Sequence, residues 1–419
     1  MKKNENIPFY KQPVKLLLSA VLVILLVVLG IIISLQAKQA KSERAHESTP
    51  PEITAQAEEE AKAEAEAAAA KAEAEKAAEE AERAKRAEEA AKYSFYQKLS
   101  NGYEAKILIM GDSVISGEGA SSDESAWFSL LKAQLDEKYY ADKDGITIEN
   151  ASGVGHKLCT DYFAVMESEL AGDCDLAVLC YGRHDPDTDF AVYYEALVRA
   201  IHAKNPDCSI IYVLESTEGG HTPRMTNLEA VCTHYDIRVA DTFAPYYALG
   251  QKEFFEALAD AVHPNDKGQV IYYETILDVI DELVTADTGK MADTERLSGE
   301  AARFDNLIYV PVEKFERVDD VSYSLSADEY SVANGVLMLE TDYAMTYQDG
   351  KVVSDGMLYS IHKSAATIEN VEKSRYLLTV YKEFVFTESM TVTFNDKSLA
   401  DGFTGAYFLW ETPVEKNNG

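Results

Sequence analysis

Five short apolar runs alternate with stretches of helical periodicity in the middle of the chain, and this alternation is the strongest constraint on its fold. The runs are Lys106–Met110, Ile146–Glu149, Leu176–Cys180, Ile210–Leu214 and Ile237–Ala240, and the intervening helices include Ala126–Lys138, Tyr193–Ala203 and Leu228–His234. Strands that alternate with helices predict a parallel β-sheet with helices packed on it. Residues that bind or react in such a sheet lie just after the carboxyl ends of its strands.

The N-terminal segment is apolar enough to enter a membrane. No charged residue occurs from Leu16 to Ala37, and a helix of this length, at ~1.5 Å per residue, crosses a hydrocarbon layer of ~30 Å. We therefore expect a cytoplasmic tail at 1–15, a transmembrane helix at 16–37, and the rest of the chain outside, since four lysines precede the span. The alternative is a cleaved signal peptide, whose apolar core is usually shorter, ~7–15 residues.

The segment 38–93 has the composition of a linker followed by a stalk. From about Ala55 to Lys92 it consists almost only of Ala, Glu, Lys and Arg, which are strong helix formers, and many opposite charges recur at helical spacing. One long helix is predicted. It carries no Leu or Ile at heptad positions, which argues against a tight coiled coil and leaves a solitary helix or Ala-mediated self-association as the alternatives.

The composition of the chain limits the classes of molecule that it can bind. The chain has 419 residues, 47% of them hydrophobic, so it can bury a sizeable core. Its formal charge of −33 argues against nucleic acid as a partner, because phosphate binding needs clustered Lys and Arg. No spacing typical of a metal site occurs, and we expect neither a metal nor a cofactor. The five cysteines are odd in number and do not imply a disulfide framework.

The C-terminal part has the pattern of an all-β domain. We expect an α/β domain at 94–285, a linker at 286–302 and a β-sandwich-like accessory domain of about eight strands at 303–419. Segments rich in Val, Tyr, Phe and Thr are separated there by Asn, Asp and Gly turns. Their aromatic residues are more typical of a core than of a binding surface.

Chemically active residue types follow the predicted strands. The first strand ends in Gly111-Asp112-Ser113, and the second leads to a loop with Gly153 and Gly155, where the backbone can approach a ligand. The third leads to Gly182-Arg183-His184-Asp185. Asp260 and His263 follow the last strand at a spacing of three residues.

In this order and at these separations, the motifs resemble those of the SGNH hydrolases, or GDSL-type esterases and lipases, over about Ala105 to Asp281. The resemblance implies a flavodoxin-like α/β fold, with Ser113 as nucleophile, Asp260 and His263 as its catalytic partners, and Gly155 as an oxyanion-hole residue. It departs in one block, where the family has Gly-x-Asn-Asp and this chain has His184 in place of the asparagine.

The same residues make chemical sense without the resemblance. A serine hydroxyl is a poor nucleophile near neutral pH and needs an imidazole as base, which in turn needs an acceptor to orient it. The backbone N–H groups of Ser113 and Gly155 and a donor from His184 would form the oxyanion hole, since a neutral imidazole still donates one N–H. Asp112, His156 and Arg183 are candidates for contact with substrate.

The sequence thus predicts a membrane-anchored, extracytoplasmic serine esterase. It would hydrolyse or transfer a small acyl group, such as acetyl, on a cell-envelope carbohydrate through an acyl-serine intermediate. The carbohydrate follows from the resemblance and the expected location, not from the residues of the site. The alternative is a catalytically inactive SGNH domain that acts as a surface glycan-binding or structural protein.

Overall fold

The computed structural model describes residues 52–141, 144–182, 190–215, 223–286, 291–292, 295–327, 330–343, 345, 348–359, 365–369 and 374–411. The predicted membrane span at 16–37 lies outside the described residues, as do Arg183 and His184. Within the described ranges, no helix combines the length and the apolar character that crossing a membrane requires.

The Ala- and Glu-rich segment forms one long helix, α1 (Glu52–Ala90). Its side chains from residue 62 onward are mostly exposed, and opposite charges at helical spacing pair on its surface, as between Lys71 and Glu75 at 3.7 Å. Such exposed pairs contribute little, about 0.3–0.5 kcal/mol each, so the helix depends mainly on the high intrinsic propensity of Ala, Glu, Lys and Arg.

A second compact unit begins at Tyr93 and opens with a five-stranded parallel sheet. Its strands are β1 (Ala105–Gly111), β2 (Ile146–Asn150), β3 (Leu176–Cys180), β4 (Ser209–Leu214) and β5 (Arg238–Asp241). They lie in the order β2-β1-β3-β4-β5, with Ile107 opposite Leu176 where β1 pairs with β3. The predicted parallel sheet flanked by helices is confirmed.

Eight helices accompany this sheet in the described residues. They are α2 (Phe95–Asn101), α3 (Trp127–Tyr140), α4 (Leu158–Glu167), α5 (Phe190–Lys204), α6 (Pro223–His234), α7 (Phe243–Leu249), α8 (Gln251–Glu256) and α9 (Asp266–Ala286). Alternate residues of β1 belong to two different cores: Leu108 and Met110 pack with α4, α5 and α6, whereas Ile107 and Ile109 pack with α2, α3 and α9. Burial on both faces explains why the central strands β1, β3 and β4 are almost entirely apolar.

The remainder of the unit is a sandwich of two antiparallel sheets, with a short helix α10 (Lys397–Asp401). One sheet has the order β11-β10-β14-β8-β7 and the other the order β12-β13-β9-β15-β6. Their strands are β6 (Asn306–Pro311), β7 (Glu316–Arg317), β8 (Ser322–Ser326), β9 (Val332–Thr341), β10 (Gly350–Ser354), β11 (Met357–Tyr359), β12 (Ala365–Glu369), β13 (Ser374–Phe386), β14 (Ser389–Phe394) and β15 (Phe403–Trp410).

The expected number of about eight strands was wrong, because the described residues contain ten. The difference comes from very short strands at the sheet edges. β7 has two residues and β11 has three, which is too short for an alternating apolar pattern to appear in the sequence.

The sheet that contains β9 and β15 is buried on both faces. In β15, Phe408 points into the core of the sandwich, whereas Tyr407 packs with the core of the α/β part. The ring of Tyr407 lies 4.8 Å from that of Phe163 on α4, and its hydroxyl donates to Glu167 at 2.6 Å. The sandwich is therefore packed directly on the helices that cover the parallel sheet.

A buried carboxylate fixes the segment that joins the two parts. Glu195 on α5 is fully buried and accepts hydrogen bonds from the backbone N–H groups of Leu297, at 2.6 Å, and Ser298, at 2.9 Å. The hydroxyl of Tyr235 donates to the same carboxylate at 2.6 Å. Because a buried carboxylate is costly unless its oxygens are hydrogen-bonded, these donors hold the connecting segment in one position.

Candidate active site

Ser113 lies in the turn that follows β1, and the turn is held by its neighbours. Gly111 has a φ of +150°, and a Cβ there would come within 2.2 Å of the Cys180 carbonyl oxygen on β3, so only glycine fits. The Asp112 carboxylate accepts the N–H of Val114 at 2.9 Å, which closes the turn around Ser113. The strand thus ends abruptly and leaves the serine at the carboxyl edge of the sheet.

Ser113, His263 and Asp260 form one hydrogen-bonded series. His263 Nε2 lies 2.9 Å from Ser113 Oγ, and His263 Nδ1 lies 2.7 Å from Asp260 Oδ2. Ser113 is buried and Asp260 is about half exposed. This geometry allows His263 to take the Ser113 proton through Nε2 while Asp260 fixes the tautomer that carries a proton on Nδ1.

Asp260 is held in the ionised form that this arrangement needs. The hydrogen bond from His263 holds the pKa of the Asp260 carboxyl well below its usual range, and the backbone N–H groups of His263 and Val262 act in the same direction. Those two N–H groups donate to Asp260 Oδ1 at 2.9 and 2.8 Å, so the Asp-x-x-His spacing forms a local turn in which one carboxylate oxygen caps the backbone and the other orients the ring.

A buried glutamine joins the loops around His263. Gln269 on α9 donates from Nε2 to the carbonyl of Pro264 at 2.9 Å, and its Oε1 accepts the N–H of Trp127 at 2.9 Å. The Trp127 indole in turn donates to the carbonyl of Ile115 at 2.7 Å. Gln269 and Trp127 therefore link the histidine loop to the nucleophile loop. Trp127 is itself completely buried.

Gly155 lies in a loop pinned to the end of β1. The N–H of Gly153 donates to the Gly111 carbonyl at 3.1 Å, and Gly155 has a φ of +81°, a conformation that favours glycine. A Cβ built on Gly155 would meet no atom of the described residues within 4 Å. The requirement for glycine there therefore comes from the backbone conformation and not from crowding around the residue.

The candidates for substrate contact have different surroundings. Asp112 is almost fully buried and its carboxylate stabilises the nucleophile turn, a position that does not face a substrate. His156 is partly exposed beside Gly155, with Nδ1 2.9 Å from Asp161 Oδ1. Arg183 and the third oxyanion candidate, His184, lie outside the described residues.

Sequence reasoning missed two acidic residues of this region. Glu118 places its carboxylate 3.5 Å from His263 Nε2, and Asp161 is a buried carboxylate bound by His156 and by the hydroxyl of Tyr181 at 2.5 Å. Burial raises the pKa of Asp161, and its hydrogen bonds oppose that rise. The hydrogen bond to Asp161 in turn raises the pKa of His156. Only the five-residue separation of His156 and Asp161, one on a loop and one on the next helix, hints at this pair.

Comparison with known proteins agrees with the fold and the motifs. Residues 109–271 match the family model of the GDSL-like Lipase/Acylhydrolase family. No curated protein matches the chain.

Solved structures are also similar to this chain. A two-domain esterase (CEX) active on acetylated mannans, co-crystallised with mannopentaose, is 15% identical with a TM-score of 0.54, over 76% of this chain and 94% of that chain. A second crystal structure of such an esterase gives 15% identity and a TM-score of 0.53 over the same shares. The lipase/acylhydrolase from Enterococcus faecalis is 16% identical with a TM-score of 0.35, over 46% of this chain and 100% of that chain.

At these identities the structures show the fold alone, and the motif evidence comes from the sequence and the family model. The Gly-Asp-Ser turn, the glycine loop and the Asp-x-x-His turn all lie at the carboxyl edge of the parallel sheet. The chain accordingly contains a domain of the GDSL-like lipase/acylhydrolase family.

Proposed function

We propose that this protein is a serine esterase that removes a small acyl group, such as acetyl, from a carbohydrate. The observation that carries the proposal is the Ser113–His263–Asp260 series, with donor-to-acceptor distances of 2.9 and 2.7 Å. Polar residues that only form turns at strand ends would not be expected to align a hydroxyl, an imidazole and a carboxylate by successive hydrogen bonds.

The reaction follows from these contacts. Ser113 Oγ attacks the ester carbonyl carbon, and its proton passes to His263 Nε2. The tetrahedral oxyanion then collapses, the carbohydrate oxygen leaves with the proton from His263, and the acyl group stays on Ser113. A water, deprotonated by His263, attacks the acyl-enzyme and releases the acid. A second carbohydrate hydroxyl in place of that water would make the same site a transferase.

The choice of an acetylated carbohydrate rests on a structural analogy and on the expected location of the protein. The similar two-domain structure belongs to an esterase active on acetylated mannans, and the similarity covers 76% of this chain. Fold similarity at this identity is an analogy and assigns no substrate by itself. The proposed location, with the N-terminus in the cytoplasm and the remainder outside, rests on the uncharged stretch 16–37 and would bring the site to an envelope carbohydrate.

The test uses the full chain in detergent with p-nitrophenyl acetate and an acetylated β-mannan as substrates. The wild-type protein should release p-nitrophenol and acetate, and Ser113→Ala and His263→Ala should each lower kcat by at least about 10³-fold. An active-serine fluorophosphonate should label the wild-type protein and not Ser113→Ala. Equal rates in all three proteins, or no labelling of the wild type, would overturn the proposed esterase activity and leave the glycan-binding alternative.

A further inference from the structure

We propose that His156, Asp161 and Tyr181 form a brace that positions the Gly155 N–H, which makes His156 a positioning residue for the oxyanion hole. This rests on the proposed function, because it assigns a role within that same reaction. No part of the family motifs named above includes these three side chains.

The brace is a continuous series of hydrogen bonds through buried groups. His156 Nδ1 lies 2.9 Å from Asp161 Oδ1, and the Tyr181 hydroxyl donates to Asp161 Oδ2 at 2.5 Å. Asp161 is 3% exposed and Tyr181 is 1% exposed. A carboxylate this deeply buried is costly, and both of its oxygens have a donor.

The series ends in rigid parts of the fold. Asp161 lies in the first turn of α4, and Tyr181 directly follows β3. The carbonyl of Tyr181 accepts the hydroxyl of Tyr212 on β4 at 2.5 Å. The loop residue His156 is thereby tied to one helix and to two neighbouring strands.

The other end of the series lies against the glycine loop. His156 directly follows Gly155, and the His156 ring is packed on Gly153, since a Cβ at Gly153 would come within 3.3 Å of the ring atoms Cδ2 and Nε2. Gly153 is itself bonded to Gly111, two residues before Ser113. His156 therefore fixes a loop that holds two glycines, of which Gly153 is hydrogen-bonded to the nucleophile strand and Gly155 is the predicted oxyanion donor.

A loop with glycine at two of three successive positions, 153 and 155, needs such a support. Gly155 has a positive φ, and a Cβ built there would meet no atom of the described residues within 4 Å, so no packing on that side holds it. An oxyanion donor acts only if it is fixed before the charge develops, and loss of one donor costs about 10²–10³ in kcat. Displacement of the donor, without its loss, should lower kcat by part of that factor.

The experiment separates the two ring nitrogens of His156. In an asparagine the amide nitrogen can occupy the place of Nδ1 and donate to Asp161, whereas the longer glutamine places its amide nearer the place of Nε2. If the brace acts through Nδ1, His156→Gln should lower kcat for p-nitrophenyl acetate about 10–100-fold with KM changed less than about threefold, and His156→Asn should recover most of that loss.

A boronic acid gives a second readout that a merely structural role would not move. Boron accepts an electron pair from Ser113 Oγ while the Ser113 proton passes to His263, and the tetrahedral anion places an oxygen in the oxyanion position. The inhibition constant of phenylboronic acid should rise in His156→Gln in proportion to the loss of kcat/KM, and much less in His156→Asn. If His156→Gln does not fold, Tyr181→Phe removes only the hydroxyl and should lower kcat about 3–10-fold.

Three outcomes overturn the brace. Wild-type kinetics in His156→Gln would do so, and so would equal losses in His156→Gln and His156→Asn. Retained activity in His156→Gln with loss in His156→Asn would be the third, because it reverses the order of activities that the brace predicts. Loss in both with a large rise in KM would instead indicate that Nε2 contacts the substrate. An inactive wild-type protein would overturn the proposed function and the brace with it, whereas an active wild type with unaffected variants overturns the brace alone.

Discussion

Gly119 lies directly against His263, so closely that a Cβ at Gly119 would come within 3.0 Å of the His263 Cβ and within 2.5 Å of the Pro264 carbonyl oxygen. The φ of Gly119 is +95°, a conformation that side chains other than glycine rarely adopt. The loop after the nucleophile therefore limits where the histidine can lie, and the two catalytic loops are fitted to each other.

Gly119→Ala should consequently displace His263. We expect kcat to fall at least about 10-fold and the free energy of unfolding to fall by about 1–3 kcal/mol, because the methyl group adds both a clash and backbone strain. Ester hydrolysis and urea denaturation measure the two effects. Gly299→Ala is the matched control, since a Cβ there meets no atom of the described residues within 4 Å. Equal behaviour of the two variants would contradict the fit.

Asp260→Asn should lower kcat without unfolding the protein. The asparagine can still cap the local turn, but its amide no longer selects the His263 tautomer with a proton on Nδ1, and a loss of about 10²–10⁴ is expected. Asp278→Asn, at an exposed position of α9, is the control for loss of one negative charge. If both variants retained full kcat, the orienting role of Asp260 would be wrong.

The charge on His156 should make stability depend on pH. Because the hydrogen bond to Asp161 raises the pKa of His156, and Asp112 adds to this, the folded protein binds that proton more tightly than the unfolded chain. The resulting stabilisation is fully present below the unfolded pKa of about 6.5 and is lost as the pH rises through the raised folded value. The difference in Tm between wild type and His156→Asn should thus be larger at about pH 5.5 than at about pH 9. A difference that grew with pH would contradict this sign.

Glu195→Ala should loosen the segment between the two parts of the unit. It removes the acceptor for the N–H groups of Leu297 and Ser298, and we expect a loss of about 2–4 kcal/mol in urea denaturation, with faster proteolysis near residue 297. Glu282→Ala removes a carboxylate that is 67% exposed and 3.7 Å from Arg238, and should cost less than about 0.5 kcal/mol. Similar losses of unfolding free energy in the two variants would show that burial of the Glu195 carboxylate adds nothing to its contribution.

The parallel sheet was predictable because its central strands β1, β3 and β4 are compact apolar runs, a pattern that results from burial on both faces. The same physics marks β9 and β15, where Val336 to Leu339 and Ala406 to Leu409 are apolar without alternation. Those runs were interpreted only as strands of a sandwich. Their lack of alternation was the signal that a second surface covers them.

The residues of the active site likewise fall into those that the sequence predicts and those that it does not. The residues of the short motifs could be found because their chemistry and their positions after strands coincide, as for Ser113 and His263. The supporting residues could not, since Gln269 and Tyr181 acquire their partners only in three dimensions. Gln269 reaches Trp127 across 142 positions of the chain, and no local pattern encodes such a contact.

The doubly covered sheet restricts how this protein can change over evolutionary time. Replacement of the β-sandwich by an unrelated domain would remove the packing partner of Phe163 and its neighbours on α4 and expose an apolar surface to water. The α/β part and the sandwich should therefore be inherited together. Substitutions at the interface between them are expected to occur in compensating pairs.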